Sequence, residues 1–184
     1  MLVNNIQVSF LAFALGIVFC LGTAYILAFN GLNLGIAAGL FYNVGEPSKF
    51  WGLILPHGLL ELSAVVVAGA AGLRLGWALI APGDQTRGQA LAQEGRRSVV
   101  IVLGLVLAFI LAGLIEGFVT PSSLSTPVRI GIGVLAELAF VLYIVSRGRA
   151  AEALGLSGQW GESAEAPVAP PSEPHSRPVA FTPR

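Results

Sequence analysis

The sequence predicts an all-α integral membrane protein, a polytopic bundle of at least four transmembrane helices with a short Gly-rich re-entrant or half-length helix. Hydrophobic residues fill 55% of the 184 positions and charged residues 11%, and the mean hydropathy of +0.79 lies far from a soluble domain's balance. Several apolar runs reach the ~20 residues that a hydrocarbon core requires. One of them, 53–82, reads LILPHGLLELSAVVVAGAAGLRLGWALIAP and carries His57, Glu61 and Arg74 within it. Ionisable groups inside a span are costly unless paired, hydrated or reaching the surface, so the bundle is expected to have a polar interior.

The first span is expected over 6–29, nearly continuous Leu, Ala, Val, Ile and Phe after the polar Asn4 and Asn5. It is too long for a signal-peptide core and has no basic start. The next stretch, 30–43, NGLNLGIAAGLFYN, is apolar but too short to cross alone, the length class of re-entrant and interfacial pieces. Pro56 suits the first turn of a second span, where its missing N–H does no harm, and Pro82-Gly83 ends that helix after Ile80. The third span is expected over 99–119 and a shorter fourth over 128–145.

Basic residues orient the bundle. Arg87, Arg96 and Arg97 lie between the second and third spans, and Arg147 and Arg149 follow the fourth, against Lys49 and Arg129 on the other side. The positive-inside rule then places both termini in the cytoplasm of a multi-pass cell-membrane protein. Residues 1–149 form the transmembrane helical domain. Residues 150–184, rich in Ala, Gly, Ser and Glu with six prolines from Pro167 onward, cannot bury a core and are expected to be a disordered cytoplasmic tail.

Small residues recur at helical spacing: Gly31, Gly35 and Gly39; Ala64, Ala68, Gly72 and Gly76; Gly113 and Gly117. Residues four apart share a helix face, and small ones let membrane helices approach closely. These stripes predict tight helix packing, either within one chain or between copies in a homo-oligomer.

The charged residues sort by depth. His57 and Glu61 share a face in the first two turns of the second span, and Glu116 ends the third, so all three are expected in one outer-leaflet polar cluster that Asn30 and Asn33 join if the Gly-rich segment dips back. Arg74 lies thirteen positions beyond Glu61, on roughly the opposite face at ~100° per residue. Its expected partner is Glu137 in the fourth span, as a structural ion pair. His57, Glu61 and Glu116 admit three readings: metal ligands, a proton or ion relay, or structural groups near the interface. An HxxxE pattern with no nearby thiolate or second histidine is thin for a metal, so no metal and no cofactor is expected, and the structural reading leads.

Other classes are disfavoured. The chain offers no GxSxG elbow, HExxH helix or phosphate loop, so an enzyme is not expected. A formal net charge of zero argues against a nucleic-acid partner. A single cysteine, Cys20, excludes an internal disulfide and reads as a small buried hydrophobe.

Four blocks, NNIQVSFLAFALGI, YILAFNGLNLG, PHGLLELSAVVVAGAAGLRLG and IEGFVTPS, in this order and spacing, resemble the stage II sporulation protein M family of polytopic membrane proteins. They extend from Asn4 to Ser122, about two thirds of the chain, and include Asn4, Asn5, Asn30, His57, Glu61, Arg74 and Glu116. Family members usually carry a further amino-terminal portion with another membrane segment, which this chain is expected to lack. The resemblance implies a membrane scaffold, since the namesake is similar to a protein that assembles peptidoglycan-remodelling proteins during septal thinning and engulfment. Many members come from organisms that form no spores, so the sporulation role itself is not carried over. The leading expectation is a non-enzymatic scaffold with the lipid bilayer and other envelope membrane proteins as partners. The alternative is a channel or transporter subunit that uses His57, Glu61 and Glu116 as a polar path.

Overall fold

α3 is the axis around which the other helices pack. The computed structural model describes residues 2–156, and among them every regular element is helical: α1 Leu2–Ala14 continued by a 3-10 turn Leu15–Ile17, α2 Leu21–Asn43, α3 Pro47–Ile80, α4 Arg87–Leu114 continued by a π-helical turn Ile115–Val119, and α5 Thr126–Ala153. Helices α2, α3, α4 with its π turn, and α5 are each long and apolar enough to cross a membrane. The expected four-span bundle is therefore present, in a multi-pass membrane protein.

The spans begin elsewhere than expected. The run 6–29 is not one helix, because the chain reverses at Phe19 and Cys20, whose φ angles of 47° and 68° lie in the left-handed region that costs L-residues energy. Neighbouring groups hold the reversal: the Thr23 hydroxyl donates to the Ala12 carbonyl at 2.6 Å, and the Cys20 thiol donates to the Leu73 carbonyl at 3.3 Å. Residues 30–43 are consequently not a re-entrant piece but the second half of α2, whose 23 residues reach roughly 34 Å at 1.5 Å per residue. A half-length helix does exist, drawn from the chain's beginning: the apolar stretch Val3–Ile17 is too short to cross.

Packing partners give the directions. Asn5 meets Glu61 near one end of α1 and Gly16 meets Gly72 near the other, so α1 runs parallel to α3. Thr23 stands against Gly72, Leu27 against Gly69, and Phe41 against Phe50 with ring centroids 5.6 Å apart, so α2 runs antiparallel to both. The Val44–Glu46 turn between α2 and α3 needs the positive φ of Gly45 (76°). Aromatic groups surround it: Phe50 meets Trp51 edge-on at 5.0 Å, and the Trp51 indole donates to the Tyr42 hydroxyl at 3.1 Å, in the manner of residues at a membrane–water boundary.

α3 begins at Pro47, so Pro56 stands inside the helix rather than in its first turn. A proline there removes one backbone donor and disturbs the preceding turn. This is where α5 comes closest, with Gly133 against the Leu55 and Pro56 carbonyls. A tight turn, a capping box between Thr86 and Gln89, then starts α4. The core lies where α3 faces α4, with Leu60, Ala64, Val65 and Ala68 against Leu105, Ala108, Phe109 and Ala112. α2 and α5 expose most of their apolar residues, as helices facing lipid do.

The expected domain boundary at 149/150 falls inside α5. The helix continues to Ala153 through good helix formers and ends where Gly155 takes φ 67° and Leu156 N–H bonds back to the Ala151 carbonyl. The Pro-rich tail expectation beyond residue 156 lies outside the described residues.

Candidate functional site

Three helices bring six polar side chains around one cavity of about 200 Å³: Asn4 and Asn5 from α1, Asn30 and Asn33 from α2, and His57 and Glu61 from α3. The reversal at Phe19–Cys20 makes this possible by folding α1 back along α3, so that its first turn stands beside Glu61. His57 and Glu61 are 3% and 4% exposed. Because α3 starts at Pro47, Glu61 lies about four turns into the helix, near its middle, deeper than a span starting at Pro56 would place it.

The carboxylate of Glu61 is half satisfied. Its Oε2 accepts a hydrogen bond from the Asn5 amide, while its Oε1 is buried without a partner. His57 lies one turn earlier, with Nδ1 3.4 Å from the Thr120 hydroxyl. Glu116 is absent from the cavity lining; it sits partly buried in the π-helical turn. The wide turn is closed by Thr120 N–H bonding to the Ile115 carbonyl, a geometry often found at functional positions. The structure thus gathers His57, Glu61, Asn30 and Asn33, and keeps Glu116 behind them.

The expected Arg74–Glu137 ion pair does not form. Arg74 Nε lies 2.8 Å from Glu94 Oε1, the two side chains being 62% and 12% exposed, and Arg97 flanks the same carboxylate at 3.7 Å. The reason is the turn after α3, which returns the chain at once as α4 and sets Glu94 beside Arg74, at the rim of an open groove of about 850 Å³ that Trp77 also lines. Glu137 instead accepts a hydrogen bond from the Ser63 hydroxyl at 2.6 Å, on the face of α3 that meets α5. A double-mutant cycle on Arg74 and Glu94, read by thermal unfolding in detergent, is expected to return a coupling of up to about 1 kcal/mol. The same cycle on Arg74 and Glu137 is expected to be additive.

The small-residue stripes divide. Ala64 and Ala68 are fully buried, Gly72 seats Ala12 and Thr23, and Gly76 seats Gly16 and Cys20. Gly31, Gly35, Gly39 and Gly117 have nothing within 4 Å of where a side chain would begin, so in the single chain they pack against no helix, contrary to expectation if the stripe served intramolecular packing. Gly113 is partly buried. Reading the sequence alone missed Gly16 and Gly133 as packing glycines, and Ser63, Glu94 and Thr120 as hydrogen-bonding or ionic partners. Ser63 carried a signal, since two residues past Glu61 it must face the other side of α3. Among the described residues no grouping of three or more His, Cys, Asp or Glu is placed to hold a metal ion.

The sequence model of the family described as Stage II sporulation protein M matches residues 1–121, the stretch holding α1 to α4 and every cavity residue. Two uncharacterized proteins of Methanocaldococcus jannaschii are similar. One is 33% identical over 122 residues, covering 65% of this chain and 68% of the relative. The other is 29% identical over 121 residues, covering 64% of this chain and 52% of the relative, so the chain spans about half of that protein. No solved structure matches the chain.

Proposed function

The chain belongs to the stage II sporulation protein M family, and from that membership we propose that it acts as a non-enzymatic scaffold of the cell envelope, positioning other membrane proteins through its lipid-facing helices. The observation that carries this reading is the closure of the bundle beneath Glu61. Ala64, Ala68, Ala108 and Ala112 pack there around Phe109, and further along Gly72 and Gly76 seat the backbone of the α1–α2 reversal. A transporter needs a polar route past this level, and close packing of alanine and glycine there supports the scaffold instead. The exposed stripe of Gly31, Gly35 and Gly39 on α2 offers a partner helix, or a second copy, a surface of close backbone approach.

The positive-inside rule orients the scaffold with Arg87, Arg96, Arg97, Arg147 and Arg149 toward the cytoplasm, and because α1 runs parallel to α3 the first residues of α1 then face the opposite side, unlike the cytoplasmic amino terminus expected from the sequence. A second reading, a channel or transporter subunit, draws on Glu61 and its unpartnered oxygen in a polar cavity.

Native-membrane co-purification of the tagged chain separates the two. Gly35→Leu adds bulk where the chain has no neighbour, so it is expected to leave the thermal midpoint within a degree or two while removing a partner that wild type retains stoichiometrically. Recovery of the same partners with Gly35→Leu would overturn the role of this face. Ion flux in liposomes that Glu61→Gln abolishes would overturn the scaffold in favour of transport.

A further inference from the structure

A carboxylate in the middle of an apolar bundle is held there at a cost unless its charge is answered. Glu61 is answered on one side only. Asn5 donates to Oε2, whereas Oε1 is buried, has no hydrogen-bond partner and belongs to a side chain that lines the cavity. Around the same cavity stand Asn4, Asn30 and Asn33, whose amides offer carbonyl oxygens. Asn4 and Asn33 are exposed on the flank between α1 and α2, and Asn30 is partly buried. Polar amides open to the side of a membrane bundle need a partner for the same reason the carboxylate does.

We propose that this cavity binds a monovalent cation, coordinated by Glu61 Oε1 and by the amide oxygens of Asn4, Asn30 and Asn33. The donor set consists of hard oxygens, which suit alkali ions and not the transition metals that prefer imidazole and thiolate. A single positive charge matches the single carboxylate of the lining. Glu116 stands outside the lining. The cavity of about 200 Å³ exceeds a bare ion, and at ~30 Å³ per water it admits the ion with part of its hydration shell, which the remaining amide groups can bond. His57, buried at the cavity's edge beside Thr120, closes it toward the α4–α5 side. Entry is lateral, past the exposed Asn4 and Asn33, so binding here requires no path through the packed half of the bundle. The proposal goes beyond the scaffold reading and does not depend on it.

The test uses the full chain in lipid nanodiscs, titrated with sodium chloride or potassium chloride against choline chloride at constant ionic strength, by calorimetry and by thermal unfolding. Saturable heat and a rise in the thermal midpoint are expected with sodium or potassium and not with choline. Glu61→Gln is expected to weaken binding at least about tenfold through loss of the charged ligand. Glu137→Gln, on α5 and bonded to Ser63 away from the cavity, is expected to bind as wild type does. An equal midpoint shift in choline, or an unchanged affinity in Glu61→Gln, overturns the proposal. If Glu61→Gln yields no monodisperse protein, Asn33→Leu decides. Its side chain is exposed, so the fold should persist, and an affinity for both ions equal to wild type overturns the site. Co-purification and flux measurements read the scaffold independently, so failure of one proposal is distinguishable from failure of the other.

Discussion

Replacing Gly72 with leucine is expected to leave a chain whose amino-terminal hairpin cannot dock, with a loss of about 3 kcal/mol or more of stability, at or above the upper end of ordinary overpacking. The size of the effect follows from what the new atoms would meet. A Cβ at this position would lie 2.7 Å from Thr23 Oγ1 and 3.0 Å from Phe13 Cα, and closer still to the Ala12 carbonyl oxygen. Two of these three are backbone atoms, so no rotamer change relieves the collision. The collision also strikes the hydrogen bond from Thr23 to Ala12 that holds the chain reversal. The measurement is thermal unfolding and size-exclusion behaviour in mild detergent, with Gly35→Leu as the comparison. The Gly35 position has no neighbour within 4 Å, and its leucine is expected to change stability by less than about 0.5 kcal/mol. Equal stability of the two variants would mean that α1 and α2 do not sit on α3 as described.

Gly133→Val is expected to unseat α5. A Cβ there would stand 2.7 Å from the Leu55 carbonyl oxygen and nearer to that of Pro56, again backbone that cannot step aside. Gly133 is the buried residue of α5, while Ala136 and Phe140 pack against the edge of the core. The helix's polar hold on α3 is the Ser63–Glu137 hydrogen bond at 2.6 Å. The readout is a cysteine pair at positions 63 and 137 in a Cys20→Ala background. Efficient cross-linking by a short thiol-to-thiol reagent is expected with Gly133 present and a several-fold lower yield with valine, since such a reagent joins only side chains that already face each other, as Ser63 and Glu137 do. Undiminished cross-linking would show that α5 tolerates the branch and is held by its lipid contacts.

These two glycines also show where sequence reading reached and where it stopped. Composition and run length suffice for an all-helical membrane bundle because the hydrocarbon thickness imposes them. The stripe containing Gly72 was legible from its four-residue spacing, which only an α-helix turns into a face. Gly133 was not, because its importance comes from the turn around Pro56 on another helix. The break at Phe19–Cys20 was hidden for a similar reason. The run 6–29 is apolar throughout, and the energy that folds it back is tertiary: the Thr23 and Cys20 hydrogen bonds and the glycine surface of α3. His57 and Glu61 could be grouped from spacing because they share a face, whereas Asn30 and Asn33 were expected beside them only if 30–43 dipped back, and they reach the cavity as part of the continuous α2. Arg74 could not be paired correctly, since helix phase gives direction and says nothing of which helix lies there. The tight turn into α4 put Glu94 nearer than Glu137.

The reversal that makes α1 a half-length helix has a consequence for biogenesis. Over its 13 described residues, α1 measures roughly 20 Å, short of a ~30 Å hydrocarbon layer, and it carries Asn4 and Asn5 into that layer. The surfaces that shelter it, Glu61 for Asn5 and Gly72 and Gly76 for the turn that follows, belong to a helix synthesised later. Insertion in order of synthesis therefore leaves α1 waiting, its amides unsatisfied, until α3 has entered the bilayer. α1 therefore completes its packing only after α3, and the interval before α3 arrives is when this part of the nascent chain most depends on the insertion machinery that surrounds it.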